Sequence, residues 1–109
     1  MLLYRGYHRR GLPLERIAGL LSADPSRRFR IPNKGRIAIG SDADLAIVNV
    51  ARSFQLQRED LHQRHALTPY LGCSFRGLVE RTIRRGEVIF ASGEITARNT
   101  GRLITPSTV

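Results

Sequence analysis

The sequence lacks most features of secreted, disulfide-bonded or membrane-spanning proteins. Its 109 residues include a single cysteine, Cys73, and no tryptophan. One cysteine can form neither an internal disulfide nor a cysteine-rich zinc site. No apolar run approaches the roughly 18 residues that a membrane-spanning helix needs, and the first residues lack the long apolar core of a signal peptide. We therefore expect a cytoplasmic protein of one domain at most, with no membrane partner.

Lysine is also nearly absent, although the chain is strongly basic. Lys34 is the one lysine among 18 basic residues, which face 9 acidic residues and give a net charge of +9. Such a charge suits nucleic-acid binding, or arginines that pair with acidic surface in a larger assembly. Protein modules that bind single-stranded nucleic acid usually also have exposed aromatic side chains, on which the bases stack. Because aromatic residues make up only 6% of the chain, we do not expect nucleic acid as a partner.

Apolar spacing predicts helices in the first third of the chain. A short helix is expected over residues 2–8, ending around Gly11. Pro13, at the favoured first position, opens a second helix. The apolar face of that helix follows helical spacing and comprises Leu14, Ile17, Ala18 and Leu21. Asp24 precedes a proline, which predicts an N-cap and a further helical turn through Phe29.

Strand patterns follow the helices. Residues 36–39 are short and partly alternating, and residues 45–50 are a β-branched run apolar enough to be buried on both faces. Residues 53–57 are a further strand candidate. Residues 58–74 read as an irregular polar loop of a length that usually has a role.

The clearest strand signal is a hairpin within residues 77–91. Its two-residue turn, Arg85-Gly86, has a glycine that can take positive φ. A brief pairing over residues 94–96 and an exposed strap after Asn99 complete the pattern. Helices first and strands second indicate an α+β class or pieces of two domains.

The candidate catalytic residues form no assembled site. His62 and His65 have a spacing that metal ligands use, but no third ligand accompanies them. Asp42 and Asp44 could act as paired acid and base, yet aspartates in such turns usually bond the local backbone and cap the strand entry. Cys73 has no activating motif, so we expect a neutral thiol that is buried or half-buried. Phosphate-loop and dinucleotide fingerprints are missing.

Several stretches follow a known pattern in the same order. Residues 14–29 resemble a last barrel helix and the turn after it. Residues 34–45, which read KGRIAIGSDADL, resemble the stretch that leads the chain from the barrel into a small β-sandwich. Residues 64–72 and 77–86 look like allantoinase, with dihydroorotase similar and hydantoinase more distant. The resemblance is to the C-terminal portion of the cyclic amidohydrolases.

This resemblance implies an α+β fragment. Residues 1–31 would be the last helix or helices of a metal-dependent (β/α)8 barrel, and residues 32–109 the C-terminal strands of a composite β-sandwich. The implied reaction is hydrolysis of a cyclic amide, with allantoin as the expected substrate and dihydroorotate or hydantoin as alternatives. The family uses two metals, usually zinc, bridged by a carboxylated lysine. All of these ligands lie upstream of the matched segment, so no catalytic, cofactor or metal residue is carried over to this chain.

The implied partner is the rest of an amidohydrolase barrel, either upstream in the same chain or as a separate subunit. The family also forms homo-oligomers. Without sandwich neighbours, the strand over residues 45–50 would expose a sheet edge, so we expect the isolated chain to be marginally stable or self-associating, and inactive. The alternatives are a small basic β-rich module that binds nucleic acid, and a split subunit that complements a barrel chain.

Overall fold

The computed structural model describes residues 1–108, and its first third is helical, as the apolar spacing predicts. The first helix, Leu3–His8, is π-helical. The second helix is continuous and consists of Leu14–Ala18, a π-helical turn at Gly19–Ala23, and Asp24–Arg28.

Asp24 is not the N-cap that the sequence predicts. Its backbone is helical, at φ −67° and ψ −47°, so the second helix runs through it without a break. A proline inside a helix removes a donor and crowds the preceding turn, and the wider π-helical turn just before Pro25 makes room for it. The Asp24 carboxylate instead accepts a hydrogen bond from Arg27 at 2.7 Å.

Within residues 1–108, four strands form one antiparallel meander in chain order. They are β1 (Leu45–Gln55), β2 (Ser74–Arg84), β3 (Glu87–Ala91) and β4 (Glu94–Ile95). The predicted turn between β2 and β3 is confirmed: Arg85 and Gly86 have φ of 48° and 82°, the left-handed pair of a tight hairpin turn. The loop before β2 is irregular, as predicted, apart from a 3₁₀ turn at Arg58–Asp60.

Residues 45–50 and 53–55 are strand, as predicted, but they belong to the single strand β1, which has a register shift between Asn49 and Ser53 and ends before Leu56. One strand prediction is wrong. Residues 36–39 form no strand, and the side chains of Ile37 and Ile39 are 90% and 106% exposed. An alternating pattern becomes a strand only where a neighbouring strand pairs with it, and none lies beside residues 36–39 in the described chain.

The first helix packs on β2. The rings of Tyr4 and Phe75 meet edge to face, with centroids 6.1 Å apart. Gly77 has φ +106°, and a Cβ there would lie 2.9 Å from the Leu3 side chain. Glycine is therefore required where the helix crosses the strand.

The interior is small for a chain of this length. Among residues 1–108, Ile17 is the one large hydrophobic residue that is buried, at 4% exposure, and no side chain is fully buried. The predicted burial of β1 on both faces is wrong, because Ile47 is 44% exposed. The accessible surface is 8688 Å², about 2,600 Å² more than the roughly 6,100 Å² of a compact 12.3 kDa protein. We call this difference the surplus surface.

Candidate functional site

The single lysine of the chain gathers the two aspartates of the turn before β1. Lys34 Nζ lies 2.7 Å from Asp42 Oδ2 and also donates a hydrogen bond to Asp44 Oδ2. The Lys34 side chain is 18% exposed, and both carboxylates are about one-third exposed. The other carboxylate oxygen of Asp44 accepts the Arg85 backbone N–H at 2.8 Å. We call Lys34, Asp42 and Asp44 the lysine cluster.

The second helix holds one side of the lysine cluster. Ser26 Oγ donates to the Lys34 carbonyl at 2.8 Å. Gly35 adopts φ +81°, and a Cβ there would lie 2.5 Å from Ser26 Cβ and 2.6 Å from the Ser22 carbonyl oxygen. The loop therefore sits tightly against the helix, and only glycine fits at position 35.

The β2–β3 turn holds the other side of the lysine cluster. The Gly86 N–H donates to the Ala43 carbonyl at 3.1 Å, beside the bond from the Arg85 N–H to Asp44. The Asp42 N–H donates back to the Asn33 carbonyl at 2.9 Å. The lysine cluster thus ties the end of the second helix to the sheet.

The electrostatics of the lysine cluster favour its charged form. Hydrogen bonds to Asp42 and then Asp44 raise the pKa of Lys34 above its ordinary 10.5. Partial burial acts to raise the pKa of Asp44, but the hydrogen bonds from Lys34 and the Arg85 N–H outweigh it and leave the pKa below 3.8. Lys34 and Asp44 are therefore both ionised at neutral pH.

The ion pairs and the bond to Arg85 make the lysine cluster a structural tie between the second helix and the sheet. The sequence predicts local backbone capping by the aspartates, but their main partners are Lys34 and the Arg85 N–H, far along the chain. The difference arises because the loop over residues 33–44 folds back on itself. The local sequence does not show whether an aspartate caps the adjacent backbone or pairs with a residue elsewhere in the same chain.

The two loop histidines do not approach a common ligand site. The His62 ring packs edge to face on Phe90, with centroids 5.9 Å apart, while His65 is exposed in the loop. Over residues 1–108, no group of three or more His, Cys, Asp or Glu side chains could hold a metal.

Cys73 is exposed, so the expected burial of the thiol is wrong. Its N–H donates to the Tyr70 carbonyl at 3.0 Å, and its carbonyl accepts the Leu56 N–H at 3.0 Å. This turn before β2 holds the backbone of Cys73 in place while leaving its side chain on the surface.

Sequence reasoning missed the role of His8. Its Nε2 lies 2.6 Å from the Val50 carbonyl oxygen, and since a carbonyl only accepts, Nε2 donates. This bond joins the first helix to β1 at the irregular stretch of that strand. The two residues are 42 positions apart, and no local sequence signal links them.

Some of the arginines bind the chain's own backbone. Arg76 Nε donates to the Ala51 carbonyl at 3.2 Å, and Arg84 and Arg85 donate to oxygens of the C-terminal residues. The guanidinium group suits such bonds because it offers several donors in a fixed plane. Part of the positive charge therefore has a structural use.

The described residues 1–108 contain no helix long and apolar enough to cross a bilayer. The fold is a helical segment tied to a four-stranded antiparallel sheet by an ion-paired cluster. The sequence model of the Amidohydrolase family matches residues 5–90. This chain belongs to the amidohydrolase family.

Known relatives narrow the branch of the family. An allantoinase of Rubrobacter xylanophilus is 51% identical over 96% of this chain, and one of Solibacter usitatus is 48% identical over 97%. The solved L-hydantoinase of Arthrobacter aurescens has a TM-score of 0.88 and 28% identity, over 95% of this chain and 24% of its own. The chain spans 23% of the length of each of these two allantoinases. It is thus a cyclic-amidohydrolase segment, as the resemblance implies.

Proposed function

We propose that this chain is the C-terminal segment of a metal-dependent amidohydrolase that opens the ring of allantoin to give allantoate. Sequence identity to the two allantoinases is the observation that carries this proposal. Within such an enzyme, residues 1–31 are barrel helices and residues 32–109 are part of a β-sandwich. The segment supplies scaffold, and the remainder of the enzyme supplies the reacting groups.

The residues of this chain do not fit the family's metal centre. A carboxylated lysine is an anion, and carboxylation of Lys34 would place a third negative charge between Asp42 and Asp44. Lys34 serves instead as the cation that holds the two carboxylates together. The histidines, as described above, do not converge. No catalytic step is therefore assigned to a residue of this chain.

The surplus surface supports a scaffold role. About 2,600 Å² on one partner corresponds to about 5,200 Å² in total, at the upper end of what permanent interfaces bury. The remainder of an amidohydrolase, whether in the same chain or in a separate subunit, would cover it.

The proposal is tested on the native protein. An antibody raised against this chain captures the complete protein from cell extract, and the captured material is assayed with allantoin, dihydroorotate and hydantoin. We expect a denatured band about four times larger than 12.3 kDa, as the share of the relatives' length indicates, and hydrolysis of allantoin above the other two substrates. Preferential hydrolysis of dihydroorotate or hydantoin would refute the substrate, and no hydrolysis of any of the three would refute the enzyme.

A chimera separates the scaffold role from the substrate. This chain replaces the matching 23% of the Rubrobacter xylanophilus allantoinase, and the same enzyme cut at that junction is the control. We expect the chimera to hydrolyse allantoin and the truncated enzyme to be inactive. A truncated enzyme as active as the chimera would show that the segment is dispensable.

In the antibody capture, a band at 12.3 kDa that co-purifies with a barrel protein would instead indicate a split subunit.

A further inference from the structure

The C-terminal residues turn back along the sheet after β4. The Thr96 N–H donates to the Ile89 carbonyl at 2.9 Å, and Thr96 Oγ1 donates to the Val88 carbonyl at 3.0 Å. The chain then reaches the β2–β3 turn, where two guanidinium groups converge on one residue. Arg84 donates to Thr100 Oγ1 at 2.5 Å, and Arg85 donates to the Thr100 carbonyl at 2.6 Å.

The same residues end at the second helix. The Ser107 N–H donates to the carbonyl of Arg30 at 2.9 Å, and Arg30 lies just after the helix with φ +52°. Between these two anchors the chain is exposed, with Leu103 90% accessible to solvent. Residues 98–107 therefore bridge the β2–β3 turn and the end of the helix, and of the two apolar residues in between, Leu103 is exposed while Ile104 is more than half covered, at 42% exposure.

We propose that residues 98–107 form a releasable strap, and that Arg84 and Arg85 are the clamp that closes it. When closed, the strap adds a second link between the helix end and the sheet, beside the lysine cluster. This inference goes beyond the proposed function, because no property of the relatives enters it.

Release follows from the balance of entropy and bonding. Fixing about ten residues removes much conformational freedom, whereas a few exposed hydrogen bonds return little free energy. The bonds from the clamp are charge-assisted and stronger than ordinary ones. The strap is therefore an element of low local stability whose closed state depends on the clamp.

The clamp also connects the strap to the lysine cluster. The Arg85 backbone N–H is bonded to Asp44 while its side chain is bonded to Thr100. Arg85 thus contacts both the lysine cluster and the strap. Closing the strap orders this arginine, and opening it leaves the backbone bond to Asp44 in place.

Hydrogen–deuterium exchange on the complete protein tests the strap. The variant Arg84→Lys/Arg85→Lys keeps both charges but loses the planar guanidinium donors. The matched control, Arg58→Lys/Arg64→Lys, makes the same change at exposed positions outside the strap. In the wild type and the control, we expect the Ser107 amide to exchange on the order of tenfold more slowly than an unstructured amide. In the clamp variant, this protection is lost while the Thr96 amide stays protected.

Three results would overturn the strap. One is an unprotected Ser107 amide in the wild type, and another is unchanged protection in the clamp variant. The third is equal loss of protection at Ser107 and Thr96, which would mean that the arginines hold the sheet and not the strap. Thr100→Val adds a milder test, since it removes only the hydroxyl acceptor and should give partial loss at Ser107. Full wild-type protection in Thr100→Val would contradict the convergence of the clamp on Thr100.

Discussion

Replacing Lys34 by methionine should loosen the link between the second helix and the sheet by about 2 kcal/mol. Methionine fills similar space without the charge, so the change isolates the ion pairs. Fully exposed pairs contribute ~0–1 kcal/mol, and breaking a buried pair costs about 3–5 kcal/mol. The Lys34 side chain is 18% exposed and its two partners about one-third exposed, which places the lysine cluster between these limits.

The Gly86 amide reports this loss directly. Its bond to the Ala43 carbonyl lies beside the lysine cluster, so opening of the cluster exposes it to solvent. A loss of about 2 kcal/mol corresponds to roughly 30-fold faster exchange, measured by hydrogen–deuterium exchange on the complete protein. Arg64→Met removes one positive charge from an exposed position and should leave Gly86 unchanged. Equal exchange in Lys34→Met and wild type would refute the structural role of the cluster.

The difference in Gly86 exchange between wild type and Lys34→Met should depend on pH in a defined direction. The pKa of Asp44 is lowered in the folded protein, so its contribution is complete above its ordinary 3.8 and is lost as the pH falls through the lower folded value. The pKa of Lys34 is raised, so its contribution is complete below 10.5 and is lost as the pH rises through the higher folded value. The difference between wild type and Lys34→Met should be constant from pH 5 to pH 9, roughly, and shrink outside the two ordinary values. A maximum near one pH inside that range would contradict these shifts.

Three further predictions concern packing. Gly35→Ala should destabilise the complete protein more than Gly40→Ala, because the Cβ at position 35 would meet backbone and side chain of the second helix. Gly40→Ala, at a similar φ of +84° in open space, should cost only the roughly 1–2 kcal/mol of a left-handed backbone. Equal midpoints of urea unfolding would contradict this. Ile17→Ala should cost ~2–4 kcal/mol through the cavity it leaves, read as a lower melting temperature. The isolated chain should self-associate through its surplus apolar surface, and Ile37→Ser/Ile39→Ser should lower its mass in sedimentation equilibrium. A strictly monomeric wild-type chain would contradict the last prediction.

Local signals in the sequence predict the helices and the hairpin well. The apolar stripe through Ile17 marks the second helix, and the Arg85-Gly86 pair marks the turn, because both depend on residues close in the chain. The Asp24 cap fails for a related reason. A cap and a helix interior differ in the backbone of the preceding turn, which the Asp-Pro pair does not determine.

Contacts between distant residues could not be predicted in the same way. The bond of His8 to Val50, the pairing of Lys34 with Asp42 and the convergence on Thr100 each depend on how the finished elements meet. Ile37 and Ile39 show that a local pattern can also predict an element that does not form. Their alternation indicates a strand, but a strand also needs a pairing partner, and the sequence of this segment does not supply one.

The charged groups of the lysine cluster and of the β2–β3 turn are held by bonds to other described residues. A general acid or base needs a carboxylate or amine free to exchange a proton with substrate, whereas Lys34 and Asp44 are ionised and bonded to each other. An anion site needs unpaired guanidinium groups, whereas Arg84 and Arg85 are bonded to the C-terminal residues. These groups join elements that have few apolar contacts of their own. We therefore propose that the segment serves the enzyme by fixing how the second helix and the sheet are placed, and that it acts on catalysis through the surfaces it presents to the remaining polypeptide.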